Sequence, residues 1–142
     1  MKVAYQGILG AYSEAALYQY FGRNVKAMGF ETFEDVFNAV KNGKVNYGIL
    51  PFENTIAGSI TKNYDLLLKE NVFVVAEVFL KITHNLLSHK GNKIENIKTA
   101  YSHPHALKQC QEFLKKHKIK AIPEYDTAGA AKLVKERNKK QE

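Results

Sequence analysis

Cysteine is almost absent from this 142-residue chain: Cys110 stands alone. A single thiol excludes an intramolecular disulfide and any metal centre built from several cysteines. Arginine is nearly as scarce, with only Arg23 and Arg137 among the cationic residues. Forked, two-point recognition of carboxylate or phosphate by arginine is therefore almost unavailable from within the chain. No apolar run approaches the roughly 20 residues that span a bilayer. The opening stretch, Met1 to Glu14, lacks the sustained apolar segment and small-residue cleavage site of a secretory signal. These shortages lead us to expect a cytoplasmic protein with no membrane partner.

What is present fits a soluble globular chain. Apolar residues make up 45% and charged residues 25%, a balance that suits one ordinary domain or two small lobes. The formal net charge is +7. Much of that excess falls in Lys115, Lys116, Lys118, Lys120 and the tail from Lys132 to Lys140, without interleaved aromatics. Such lysines read as solvated helix faces, and no nucleic-acid partner is expected. Cys110 shares three- and four-residue spacing with Ala106, Leu107, Phe113 and Leu114. A structural thiol on an apolar helix face is the favoured reading.

Strand and helix patterns alternate along the chain. Strands are expected at Val3–Tyr5, Val25–Met28, Asn46–Leu50, Ile97–Tyr101 and Ala121–Tyr125. Helices are expected at 14–21 with Ser13 as N-cap, after a capping box at Thr32 to Asp35, at 60–68, at 103–117 and at 127–137. The segment 72–87 reads as two strands crossing between lobes, and 52–59 as a polar loop. The expected class is α/β, with mainly parallel sheets flanked by helices. In such sheets ligands sit beyond the carboxyl ends of strands, at the loops that lead into helices. Gly7 to Ser13, Glu53 to Ser59, Ser102 to His105 and Asp126–Thr127 are those loops. Helix amino termini could hold carboxylates there without arginine, although the same residues are also ordinary caps.

The order of residues in these loops is more specific than their composition. Pro51-Phe52-Glu53-Asn54-Thr55-Ile56-Ala57-Gly58-Ser59 resembles the Pro-x-Glu-Asn-Ser/Thr-x-x-Gly-Ser signature of prephenate dehydratases. Ser102-His103-Pro104-His105-Ala106-Leu107-Lys108-Gln109-Cys110 resembles a second motif of that family. Val3 to Gly7 with Gly10 to Glu14, and Asp126 to Ala131, are similar to two more, and all four follow the family's order. The resemblance implies a bilobal fold like that of type II periplasmic binding proteins, with a first lobe over residues 1–78 and a second over 79–142. It also implies that prephenate lies between the lobes and is decarboxylated and dehydrated to phenylpyruvate, on the route to L-phenylalanine, with no metal or other cofactor.

Carried over position by position, Asn54 and Thr127 take catalytic places. Ser13, Glu53, Thr55, Gly58, Ser59, Ser102, His103 and His105 take substrate-binding places. Several keep a structural alternative. Asn54 could fix its loop instead, and Thr55, Ser59 and Thr127 could cap. A carboxylate at Glu53 facing a dianion is repelled unless protonated or paired, which favours structural support. His103 could bind an anion or be a satisfied structural imidazole. His105 departs from the family's usual glutamine, so ligand binding is expected to depend more on pH. A Thr-Arg-Phe motif whose threonine is the family's favoured proton donor has no counterpart here. Thr99 and Thr127 are the only threonines in the last third, and neither precedes arginine. The chain as written is therefore expected to be an impaired fragment, without a regulatory domain and prone to self-associate as a homo-oligomer. Arogenate as substrate, or a non-catalytic module binding small carboxylates, remain open alternatives.

Overall fold

The computed structural model describes residues 1–56 and 58–137. It divides into two compact units, Met1–Lys81 and Ile82–Glu142. The first unit is built on strand β1 (Lys2–Gln6), whose Val3, Ala4 and Tyr5 are all buried. A strand buried on both faces needs cover from both, and it reads as a continuous apolar run rather than an alternation. Helix α1 (Tyr12–Phe21) covers one face, where Val3, Tyr5 and Leu17 form a cluster. Helix α2 (Phe33–Lys41) covers the other, with Ala4 packed among Val36, Ala39 and Val45. Strands β2 (Lys26–Phe30) and β3 (Tyr47–Ile49) pair in parallel with β1, giving the order β2-β1-β3. Gly48 lets β3 approach α2 closely, because a Cβ there would lie 2.8 Å from Val36 Cγ1.

The capping box forms as the sequence leads one to expect. Thr32 accepts from the Asp35 amide at 3.1 Å, and Asp35 accepts from the Thr32 amide at 3.3 Å. Ser13 does not cap α1. That helix begins one residue before it, with Ala11 at the N-cap position and no side-chain cap. The carboxylate of buried Glu14 instead takes the Gly10 amide at 2.6 Å.

The expected polar loop at 52–59 is a small antiparallel hairpin, β4 (Glu53–Asn54) and β5 (Gly58–Ser59). It runs into helix α3 (Thr61–Lys69). The two strands expected across 72–87 do not form. The segment forms no strand, and many of its apolar side chains stand exposed, Phe73 by 83% and Phe79 by 80%. β-propensity expresses fit to a neighbouring strand, and none is paired with this stretch among the described residues. Gln19 Nε2 on α1 donates to the Phe79 carbonyl at 2.9 Å.

The second unit holds a two-stranded parallel sheet, β6 (Thr99–Ser102) with β7 (Lys120–Pro123). The single helix expected over 103–117 is interrupted at Cys110, giving α4 (Pro104–Gln109) and α5 (Gln111–Lys116). Ile97, Leu114 and Ile119 form the core, with Ala100, Leu107 and Cys110 packed against it. Cys110 is thus on the apolar side, where burial raises its thiol pKa and keeps it protonated. Helix α6 (Thr127–Arg137) packs on β6 with Ala130 buried. His84 and His89 tie the preceding segment down. His84 Nε2 meets Gln109 Oε1 at 2.6 Å, and His89 Nε2 meets the Val134 carbonyl at 2.8 Å. The lysines beyond Arg137, and Ala57 within the first motif, lie outside the described residues.

Candidate functional site

In the first unit Glu53, Asn54, Thr55, Gly58 and Ser59 gather on the hairpin, whereas Ser13 lies in the first turn of α1. Pro51 ends the extension of β3, and the Ile60 amide donates to the Phe52 carbonyl at 2.8 Å, closing the hairpin at its base. Asn54 ends β4, and its Oδ1 accepts the Ile56 amide at 2.9 Å. In this side chain the oxygen is the acceptor and the nitrogen the donor. Thr55 lies in the exposed turn, followed by Gly58 in a left-handed conformation at φ 82°.

Glu53 is paired rather than bare. Tyr64 donates to Oε1 at 2.6 Å and Ser59 to Oε2 at 3.1 Å. The Tyr64 hydroxyl, and then Ser59, hold the Glu53 carboxyl below the usual carboxylate range. Glu53 is therefore ionised near neutral pH and its oxygens face hydroxyl donors. Ser59 spends its proton on Glu53 and caps nothing. Tyr64 was not among the sequence candidates. Its only sequence signal is position: the fourth residue of a helix that begins two residues after the motif.

In the second unit Ser102 ends β6 and its carbonyl accepts the Glu124 amide at 2.9 Å, tying it to the end of β7. His103 is the N-cap of α4, with Nδ1 accepting the His105 amide at 3.2 Å. The two imidazoles stack, with ring centres 5.3 Å apart and planes 9° from parallel. An accepting Nδ1 requires the neutral ring. Partial burial first, and then the charge of His105, lower the His103 pKa, while Asp126 opposes them.

Thr127 opens α6 but does not cap it. Asp126 does, by accepting the Gly129 amide on Oδ1. Gly129 permits that closeness, since a Cβ there would lie 3.0 Å from Asp126 Oδ1. The Thr127 hydroxyl is thereby relieved of the capping role that its position offers. Asp126 is a second contributor, and an aspartate before a helical run is a recognisable N-cap signal.

Both arginines are engaged with aromatic rings. Arg23 lies 5.3 Å from the Tyr18 ring centre, and Arg137 lies 5.3 Å from that of Tyr101. No group of three or more His, Cys, Asp or Glu residues suited to a metal occurs among the described residues. No helix among them is long and apolar enough to cross a membrane.

Parallel βα units whose strand ends carry amide and hydroxyl groups define an α/β protein. More particularly, residues 3–142 match the family described as prephenate dehydratase, and the chain belongs to that family. Among curated relatives it is 46% identical to arogenate dehydratase 2 of Petunia hybrida over 94% of this chain and 34% of that protein. It is 41% identical to the bifunctional chorismate mutase/prephenate dehydratase of Buchnera aphidicola, over 95% of this chain and 36% of that one. The chain thus spans about a third of the length of these relatives. A solved prephenate dehydratase from Staphylococcus aureus superposes with a TM-score of 0.81 at 27% identity, covering 94% of this chain and 51% of that chain. A structure described as GqqA, a novel type of quorum quenching acylase, superposes at 0.89 with 30% identity, over 99% of this chain and 51% of that chain. The α/β class with mainly parallel sheets is as expected, and the fold is the one shared by prephenate dehydratases, like that of type II periplasmic binding proteins.

Proposed function

We propose that this protein acts on prephenate, removing carbon dioxide and water to give phenylpyruvate. In that reaction the bond between the ring and its carboxylate breaks and its electron pair enters the ring. The ring hydroxyl then leaves, taking a proton to become water. Aromatisation supplies the driving force, so the protein's tasks are to fix the carboxylates and to assist the departing hydroxyl. Asn54 is assigned to the second task, with its amide nitrogen as donor. Thr127 and the amides opening α6 are assigned to a carboxylate, where helix geometry favours negative charge. Ser13, Thr55, the Gly58 backbone, Ser102, His103 and His105 are assigned supporting contacts. Glu53 and Ser59 are assigned to holding the hairpin rather than to the ligand. No cofactor enters the scheme.

The observation that carries this reading is the Pro51–Ser59 motif folded as a hairpin that fixes the Asn54 amide. Arogenate is the second substrate reading, supported by the Petunia relative. It differs by an amino group where prephenate has a keto group. We also propose a cytoplasmic setting, consistent with the unpaired Cys110 thiol, and self-association through the exposed 72–79 stretch.

Incubation with prephenate and, separately, arogenate tests the assignment, with phenylpyruvate and phenylalanine as readouts. Slow formation of aromatic product from either is expected, in keeping with the missing Thr-Arg-Phe threonine, and Asn54→Ala or Thr127→Ala should slow it by about 10²-fold or more, the usual loss on removing a preorganised donor. Saturable binding without product would instead support a module that captures small carboxylates. Absence of both product and binding would contradict the proposal.

A further inference from the structure

Helix α3 carries no residue that the proposed chemistry uses, yet it is joined to the hairpin at three points. Asn63, wholly buried, donates from Nδ2 to the Pro51 carbonyl at 2.7 Å, where the chain enters the hairpin. The Tyr64 ring meets Phe52 edge-on, with centres 5.0 Å apart and planes at 82°. Its hydroxyl reaches Glu53 at 2.6 Å, on the residue before Asn54. The helix is itself held to α2 at both ends. Lys62 pairs with Glu34 at 2.7 Å, and Glu70, just past the last turn, pairs with Lys41 at 2.6 Å.

The geometry points to Tyr64 as a positioning residue that acts through Glu53 to fix the hairpin strand carrying Asn54. This deepens the reading of Asn54 as the catalytic amide and rests on it. A two-residue strand pair has little stability of its own. Its shape must come from contacts outside it, and Glu53 accepts one bond from the opposite strand, at Ser59, and one from α3, at Tyr64. Glu53 thereby couples the hairpin to the helix. Among the described residues Glu77 also acts on the Tyr64 hydroxyl, reinforcing the rise in that phenol's pKa, to which the hydrogen bond to Glu53 contributes most. Tyr64 therefore stays protonated and keeps donating.

Tyr64→Phe keeps the ring against Phe52 and deletes only the donor, so the fold should survive. Three measurements then separate the outcomes. The Glu53 side-chain carbonyl, followed by carbon-13 NMR against pH, should titrate at higher pH in the variant than in the parent. Exchange of the Ile56 amide, which is bonded to the Asn54 side chain, should quicken by about three- to tenfold, the worth of one ordinary hydrogen bond. Affinity for prephenate or arogenate should fall by a similar factor, and Tyr64→Phe should add nothing once Glu53→Ala is present. An unchanged Glu53 titration and unchanged Ile56 exchange would overturn the proposal. So would an undiminished effect of Tyr64→Phe in the Glu53→Ala background. If both NMR responses occur while the parent binds neither prephenate nor arogenate, the brace stands and the functional reading falls.

Discussion

Asp126 and Thr127 divide two duties that the sequence alone allows either to perform. With Asp126 capping α6, replacing it by alanine should cost about 1 kcal/mol, the usual worth of such a cap. Chemical denaturation checks this, and Thr127→Val should lose far less stability while still impairing ligand binding. Equal losses from the two would return Thr127 to a structural role. At His103 the sign of pH dependence follows from its lowered pKa. A depressed folded-state value means that the neutral ring is favoured, so this contribution to stability is full above the unfolded pKa and is lost as pH falls through the folded value. The same protonation adds positive charge beside a dianion, so affinity should rise over that acid range while stability declines. His105→Gln removes the neighbouring charge and should move the His103 titration upward. An imidazole titration by NMR in both forms checks it, and an unmoved midpoint would mean that burial alone sets the shift.

Among elements, β1 and α2 were legible because their patterns are long enough to declare themselves. Val3 to Tyr5 is an unbroken apolar run, and Thr32 to Val40 combines a cap with helical spacing. The hairpin was not legible, since two-residue strands have no periodicity to read. Only the motif drew attention to it, and the motif says nothing about Tyr64. The 72–87 segment misled in the opposite direction. Its composition suits strands, but pairing depends on a partner that propensity does not supply. The single helix expected at 103–117 reads continuously, yet it is interrupted at Cys110, near φ −94° and ψ 5°. Gly48 offers a test at this scale. Gly48→Ala places a Cβ against Val36 and Val40 and should destabilise the unit by roughly 1–3 kcal/mol, as overpacking does. Val36→Ala in the same background should recover part of that loss, and thermal melting of the three variants checks it.

For the whole molecule, three small apolar clusters sit in two units, two in the first and one in the second, and each unit carries a share of the assigned donors. The family was legible because four motifs recur in order. Composition alone would have left a basic α/β protein of unspecified task. Exposed Phe73, Val75 and Phe79 motivate the self-association proposal. Light scattering should give a mass above that of one chain, and Phe73→Ser with Phe79→Ser should reduce it. A monomer at every concentration would remove the proposal. We propose that Asn54 and Thr127 each respond to one and the same dianionic ring compound. The most direct test of this claim is titration of the protein with prephenate, and separately with arogenate, while following the Asn54 side-chain amide and the Thr127 methyl by NMR. Both signals should move with a single, shared dissociation constant for at least one of the two ligands. Movement of only one signal, or of neither at saturating ligand, would contradict it.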